Sequence, residues 1–138
     1  MADHISVVQY FYARVGDRPG EGRRLLEHLS EKGINLMAFT ATPAGDGQTE
    51  LRFITERIEK LQEAASDAGV QLHGPKRAFL IQGEDRIGAL HDHHLTLANA
   101  GINVTSSAGI GSEFGFFAFV VFIEEKDFEK ACWAFGFD

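Results

Sequence analysis

Two tetrapeptides 68 positions apart, Asp17-Arg18-Pro19-Gly20 and Asp85-Arg86-Ile87-Gly88, each place a carboxylate, a guanidinium and a glycine in one turn. Glycine lets a ligand approach the backbone closely, and a nearby aspartate suits an ammonium group. Where such a turn opens a helix, the free N–H groups of the first turn carry partial positive charge and suit a carboxylate. Asn35 and Asn103 follow 18 positions after their aspartates and supply amides that both donate and accept. Together these groups complement a zwitterion. Turn chemistry alone also accounts for them, since an aspartate favours a helix start by about 0.3–1 kcal/mol and an asparagine bonds local backbone.

Two further groupings carry reactive side chains. In His91-Asp92-His93-His94, His91 and His94 share a helical face at a spacing that metal ligands use. No acidic or thiolate ligand is spaced to complete a set, so no metal is expected. At the offset of 68, His93 and His94 replace Leu25 and Leu26, which face the sheet. One of the two is therefore expected to be buried or at an interface and bonded to a partner, where it could make assembly pH-sensitive. Cys132 shares an apolar helical stripe with Phe128 and Phe135, the setting of an inert buried thiol. Trp133 falls off that stripe and suits a contact surface. No paired carboxylates, activated nucleophile or phosphate loop is found, so no catalytic residue and no cofactor is expected.

The elements that must position these residues are written twice. The offset of 68 gives ten identities over 46 gapless positions, from Phe11/Phe79 to Glu56/Glu124, against about three expected by chance. In the first copy, Ile5–Arg14 reads as a strand. Pro19 belongs at the first position of a helix carrying Leu25, Leu26 and Leu29, which Gly33 caps. Strands at Leu36–Thr42 and Thr49–Thr55 flank the hairpin turn Ala44–Gly47. A second helix carries Ile58, Leu61, Ala65 and Ala68, and a short fourth strand is expected at Val70–His73. The second copy repeats this with strands Arg77–Gln82, Asn103–Ile110 and Gly115–Ile123 and helices at Ile87–Ala100 and around Phe128–Phe135. The chain then leaves no room for a full last strand, so the open place is expected to be closed by the other copy or by another chain.

These patterns predict an α+β fold of two ferredoxin-like βαββαβ units, 1–74 and 75–138, the second lacking a full last strand. Each would be an antiparallel sheet with helices on one face. In the second copy Phe117, Phe119 and Val121 alternate with Ala118, Val120 and Phe122, so both faces of that strand are apolar and both need cover. Six of the 12 phenylalanines lie between Phe114 and Phe128, which marks the second unit as the one that mates, giving a homodimer.

Composition narrows the function classes. A net charge of −7 lacks the footprint of a nucleic-acid binder. No apolar run is long enough to span a membrane. The first residues carry no signal-peptide pattern and there is a single cysteine, so a cytoplasmic location is expected.

The Asp-Arg-x-Gly turn at a helix start, with Gly-Ile-Asn at its end (Gly33–Asn35 and Gly101–Asn103), resembles the ACT domain, a regulatory module of amino-acid biosynthetic enzymes. The resemblance covers nearly the whole chain as two tandem copies. It implies a ligand site where two ACT units meet, with Asp17, Arg18, Gly20 and Asn35 as candidates, and their counterparts Asp85, Arg86, Gly88 and Asn103. It further implies a non-enzymatic regulator that binds an amino acid and acts on a partner enzyme. This chain departs from the family pattern in having Asp17 and Asp85 where many members have Asn, and Glu21-Gly22 where an apolar pair is usual. Gly22 falls on the core-facing stripe, where it leaves a gap or admits backbone closely. Two rivals remain open: a ligand-independent assembly module, and a dimeric enzyme with an apolar pocket lined by the Phe-rich strand and His93 or His94.

Overall fold

The computed structural model describes residues 3–137. Its strands are β1 (His4–Gly16), β2 (Ala38–Gly45), β3 (Gln48–Ile54), β4 (His73–Glu84), β5 (Val104–Gly111) and β6 (Phe116–Ile123). The helices are α1 (Glu21–Glu31), α2 (Ile58–Asp67), α3 (Ala89–Asn99) and α4 (Phe128–Phe135), the last preceded by a single 3-10 turn at Glu125–Asp127. The fold is α+β and built of ferredoxin-like units. The chain divides into two compact units, Gln9–Lys76 and a second formed by residues 3–8 with 77–137.

In the first unit the strand order is β2-β3-β1-β4, with β4 contributing His73 to Lys76. Phe11 pairs with Phe53 and Ala13 with Leu51 across antiparallel β1 and β3. Those side chains, with Val15, meet Leu25 and Leu29 of α1 and Leu61, Ala64 and Ala68 of α2 in one core. The opposite face carries an ion cluster, in which Glu50 accepts from Arg14 Nε at 3.3 Å and from Arg52 Nε at 2.8 Å.

In the second unit the order is β1-β4-β6-β5, with β1 contributing residues 4–8. The register repeats at the offset of 68: Phe79 pairs with Val121 and Ile81 with Phe119. The core holds these residues with Phe117, Ile123, Leu97, Ile102, Phe128 and Ala131. Phe128 lies flat on Phe79 at 4.5 Å between ring centroids. Val120 and Phe122, on the other face of β6, are also buried within the single chain.

No strand follows α4 among the described residues. The fourth place in the second unit, beside β4, is taken by the first residues of β1, where Ser6 Oγ donates to Leu80 O. The expected separate strand at Val70–His73 does not form. Residues 70–72 are irregular, and His73 opens one continuous strand that runs through Gly74-Pro75 to Glu84. The physical reason is that β4 lies beside β1 in the sheet, which gives its backbone groups partners.

Pro19 is likewise not the first residue of a helix. Gly20, at φ 89°, is the N-cap of α1, and Pro19 lies in the turn before it. Gly88 does the same for α3 at φ 80°. A left-handed backbone at this place is what a glycine supplies without steric cost. Gly20→Ala and Gly88→Ala should each cost about 1–2 kcal/mol from backbone strain alone, since an added methyl would meet nothing within 4 Å. Urea unfolding of the two single variants measures it.

Candidate ligand-binding site

Each aspartate turn is tied to the hairpin of its own unit in the same way. The Asp17 N–H donates to Gly47 O at 2.8 Å, and the Asp85 N–H donates to Gly115 O at 2.9 Å. Thr49 Oγ1 donates to Asp17 Oδ1 at 3.3 Å. The side chains of Asp17 and Asp85 therefore do not cap the helices, and both turns are exposed. After each turn, the Arg24 N–H closes on Gly20 O and the Asp92 N–H on Gly88 O, so the amide groups just before them, of Gly22, Arg23, Leu90 and His91, lie in the unbonded first turn of a helix.

The far end of each helix also repeats. Gly33 and Gly101 adopt φ 71° and 74°, and the Ile34 and Ile102 N–H groups reach back to Leu29 O and Leu97 O at 3.0 Å. This is a Schellman-type stop. Asn35 and Asn103 follow it and are exposed. Eleven helical residues separate turn from asparagine, about 16 Å of axis, so within a unit one amino acid cannot touch both.

The two arginines differ. Arg18 is exposed and pairs with Glu21 at 2.7 Å in its own helix start. Arg86 instead holds Asp3 with two parallel bonds of 3.0 Å. His93 Nε2 donates to the same carboxylate at 2.7 Å, so the expectation that one of the paired histidines needs a bonded partner is met by His93. His94 lies against the Phe119 ring. The Asp3 side chain is 6% exposed, and the bond from Arg86 holds its carboxyl below the ordinary value, with His93 adding to the effect. A side chain at Gly83 would overlap the Asp3 carboxylate.

Asp3 lies outside the stretch in which the copies align, and the turn chemistry does not point to it. The signal that could have found it is a pair of departures from the repeat. Gly83 stands for buried Val15 and His93 for buried Leu25, one making room and the other needing a partner.

Behind the first turn lies a groove of about 550 Å³, floored by Val15, Phe39 and Leu51 and walled by Gly22, Leu26 and Glu27 of α1. Its equivalent in the second unit, beside Asp85, Arg86 and Gly88, is smaller, about 300 Å³. The Leu90 side chain reduces it, lying so close over Gly109 that a Cβ there would be 2.7 Å from Leu90 Cδ1.

Cys132 is partly buried on α4, and burial with the nearby Glu129 pushes its thiol up, which keeps it protonated. Among the described residues no group of three or more His, Cys, Asp or Glu is placed to hold a metal ion. No described helix is long and apolar enough to cross a membrane.

No protein-family profile matches the sequence, and a search of curated proteins gave no match. Solved structures do share its architecture. A protein of Bacteroides thetaiotaomicron superposes with a TM-score of 0.78 at 18% identity, covering 94% of this chain and 87% of that one. The ligand-free regulatory subunit of aspartate kinase from Thermus thermophilus gives 0.66 at 16% identity, with 96% and 93% covered. The regulatory subunit of aspartate kinase from Thermus flavus gives 0.62 at 18%, with 96% and 92% covered. At these identities the likeness establishes the fold.

Proposed function

We propose that this chain is a non-enzymatic regulatory protein of the tandem ACT type, with copies at 1–74 and 75–138, that binds a free amino acid at its aspartate turns. The observation that carries this reading is the duplicated turn itself. Asp17, Arg18 and Gly20, and Asp85, Arg86 and Gly88, present the same backbone path, the same left-handed glycine and the same unbonded helix-start amides. Purely structural caps would not require a groove of ligand size behind the turn, and the first unit has one. The amides receive the carboxylate and the aspartate receives the ammonium. Asn35 and Asn103 join a ligand only where another unit brings its helix end to a turn. The fold shared with regulatory subunits of aspartate kinase supports action on a partner enzyme, by a ligand-driven shift in arrangement.

A thermal-shift screen against the twenty amino acids tests the reading. A ligand at about 100 times its Kd stabilises by about 2.7 kcal/mol, a readily measured rise in Tm. No rise with any amino acid at millimolar concentration would sink it.

A ligand-independent assembly module is the second reading, favoured by apolar side chains left exposed in the second unit. Ile110, Phe114 and Phe116 are 72%, 80% and 60% exposed. On this reading the second unit forms a homodimer, and Phe114→Ser with Phe116→Ser converts it to monomer in sedimentation at micromolar protein. A dimer fraction unaffected by both changes would exclude that surface.

A further inference from the structure

The two units serve as internal comparisons for one another, because each residue around the first groove has a counterpart at the offset of 68. In the second unit Leu90, on the first turn of α3, drops its side chain over Gly109 of β5. The counterparts in the first unit are Gly22 and Ala41. Gly22 carries no side chain, its ideal Cβ would meet nothing within 4 Å, and its φ is not positive. Nothing in the backbone requires a glycine there, and the first turn of α1 has open space for a side chain. The glycine thus leaves empty the volume that a leucine side chain fills in the other copy.

We infer that this groove is a specificity pocket for the branched aliphatic side chain of a free amino acid, with the ligand carboxylate on the amides of Gly22 and Arg23. The inference rests on the amino-acid reading above and adds the class of side chain. Val15, Phe39, Ala41 and Leu51 form an apolar floor, and the charged side chains of the lining come from α1 and the turn before it. Gly22 and Arg23 of the helix start line the same groove, as does Arg18, whose side chain is 76% exposed, and these groups suit a carboxylate attached to the aliphatic group. The second unit offers no such aliphatic pocket, since Leu90 already occupies the place and Arg86 is held by Asp3. One aliphatic pocket per chain follows.

The test grafts the second unit's solution into the first. Full-length wild type and the double variant Gly22→Leu/Ala41→Gly are titrated by calorimetry and thermal shift with L-leucine, L-aspartate, glycine and 4-methylpentanoate. L-leucine should bind wild type about ten- to hundredfold more tightly than glycine, the range that burial of one aliphatic side chain provides. The double variant should be at least as stable unliganded and should lose the leucine response. Gly22→Ala, which the open space accepts, should weaken leucine partially and serves if the double variant does not fold.

Leucine binding that survives in the double variant, or glycine and aspartate binding as tightly as leucine, overturns the pocket and leaves the amino-acid reading standing. If no amino acid binds, that reading fails, and 4-methylpentanoate decides the pocket. Binding lost in the double variant supports it, and no binding overturns it.

Discussion

Asp3→Ala should destabilise the protein by about 2–3 kcal/mol and steepen its sensitivity to anything that frays the start of β1. The carboxylate accepts two bonds from Arg86 and one from His93, and hydrogen bonds to charged groups are worth about 1.5–3 kcal/mol when their loss strands a partner. Arg86 keeps water and Asp92 at 3.5 Å, so its own loss is softened, whereas His93 is 13% exposed and is left with an unmet donor. Gly83→Ala should act through the same contact, because its methyl would displace the carboxylate. Urea unfolding at pH 7 measures both. A cost below about 0.5 kcal/mol, the level of an ordinary exposed ion pair, would show that the cluster holds nothing.

The same cluster sets a direction for pH dependence. The native pKa of Asp3 is lowered, so the stability it contributes is present above the unfolded-state value of about 3.9. It is lost as pH falls through the depressed native value. Wild type should therefore lose more stability than Asp3→Asn between about pH 5 and pH 2, with the curves parallel above that. Arg86, His93 and Asp92 are the charged or titratable groups that face this carboxylate and its arginine, and an unchanged difference across that window would place the effect elsewhere.

Phe128→Ala should cost more, about 3–5 kcal/mol. The ring is fully buried, stacks on Phe79 with planes 1° apart, and has the Arg77 guanidinium 4.2 Å from its centroid. Past Glu124 the copies are offset by one residue fewer, which makes Leu61 the counterpart of Phe128, and Leu61 is equally buried. Phe128→Leu copies that solution and should cost only about 1–2 kcal/mol, with loss of the stacking contribution and a small cavity. Denaturant unfolding compared by far-UV and near-UV dichroism is the check. Phe128→Ala and Phe128→Leu with equal cost would mean that the cavity is not what sets the penalty.

What the sequence determined by itself was set by local chemistry. The hairpin at Asp46-Gly47, the stops at Gly33 and Gly101 and the alternation along β6 are properties of a few neighbouring residues, and all stand in the structure. The candidate turns were legible for the same reason, because a glycine at positive φ before a helix is a local requirement. Pro19 misled because its own preference for a helix start yielded to that of Gly20.

Only the tertiary structure decided which strand fills the place after α4, what His93 bonds, and whether Gly22 leaves space. Each depends on a partner far along the chain: Asp3 is 83 residues from Arg86 and 90 from His93, and the floor beneath Gly22 comes from three strands. Pairings of that separation leave no periodic trace. They show in the sequence only as places where one copy departs from the other, at Gly83, His93 and Gly22, and it took the packed chain to show what each departure makes room for.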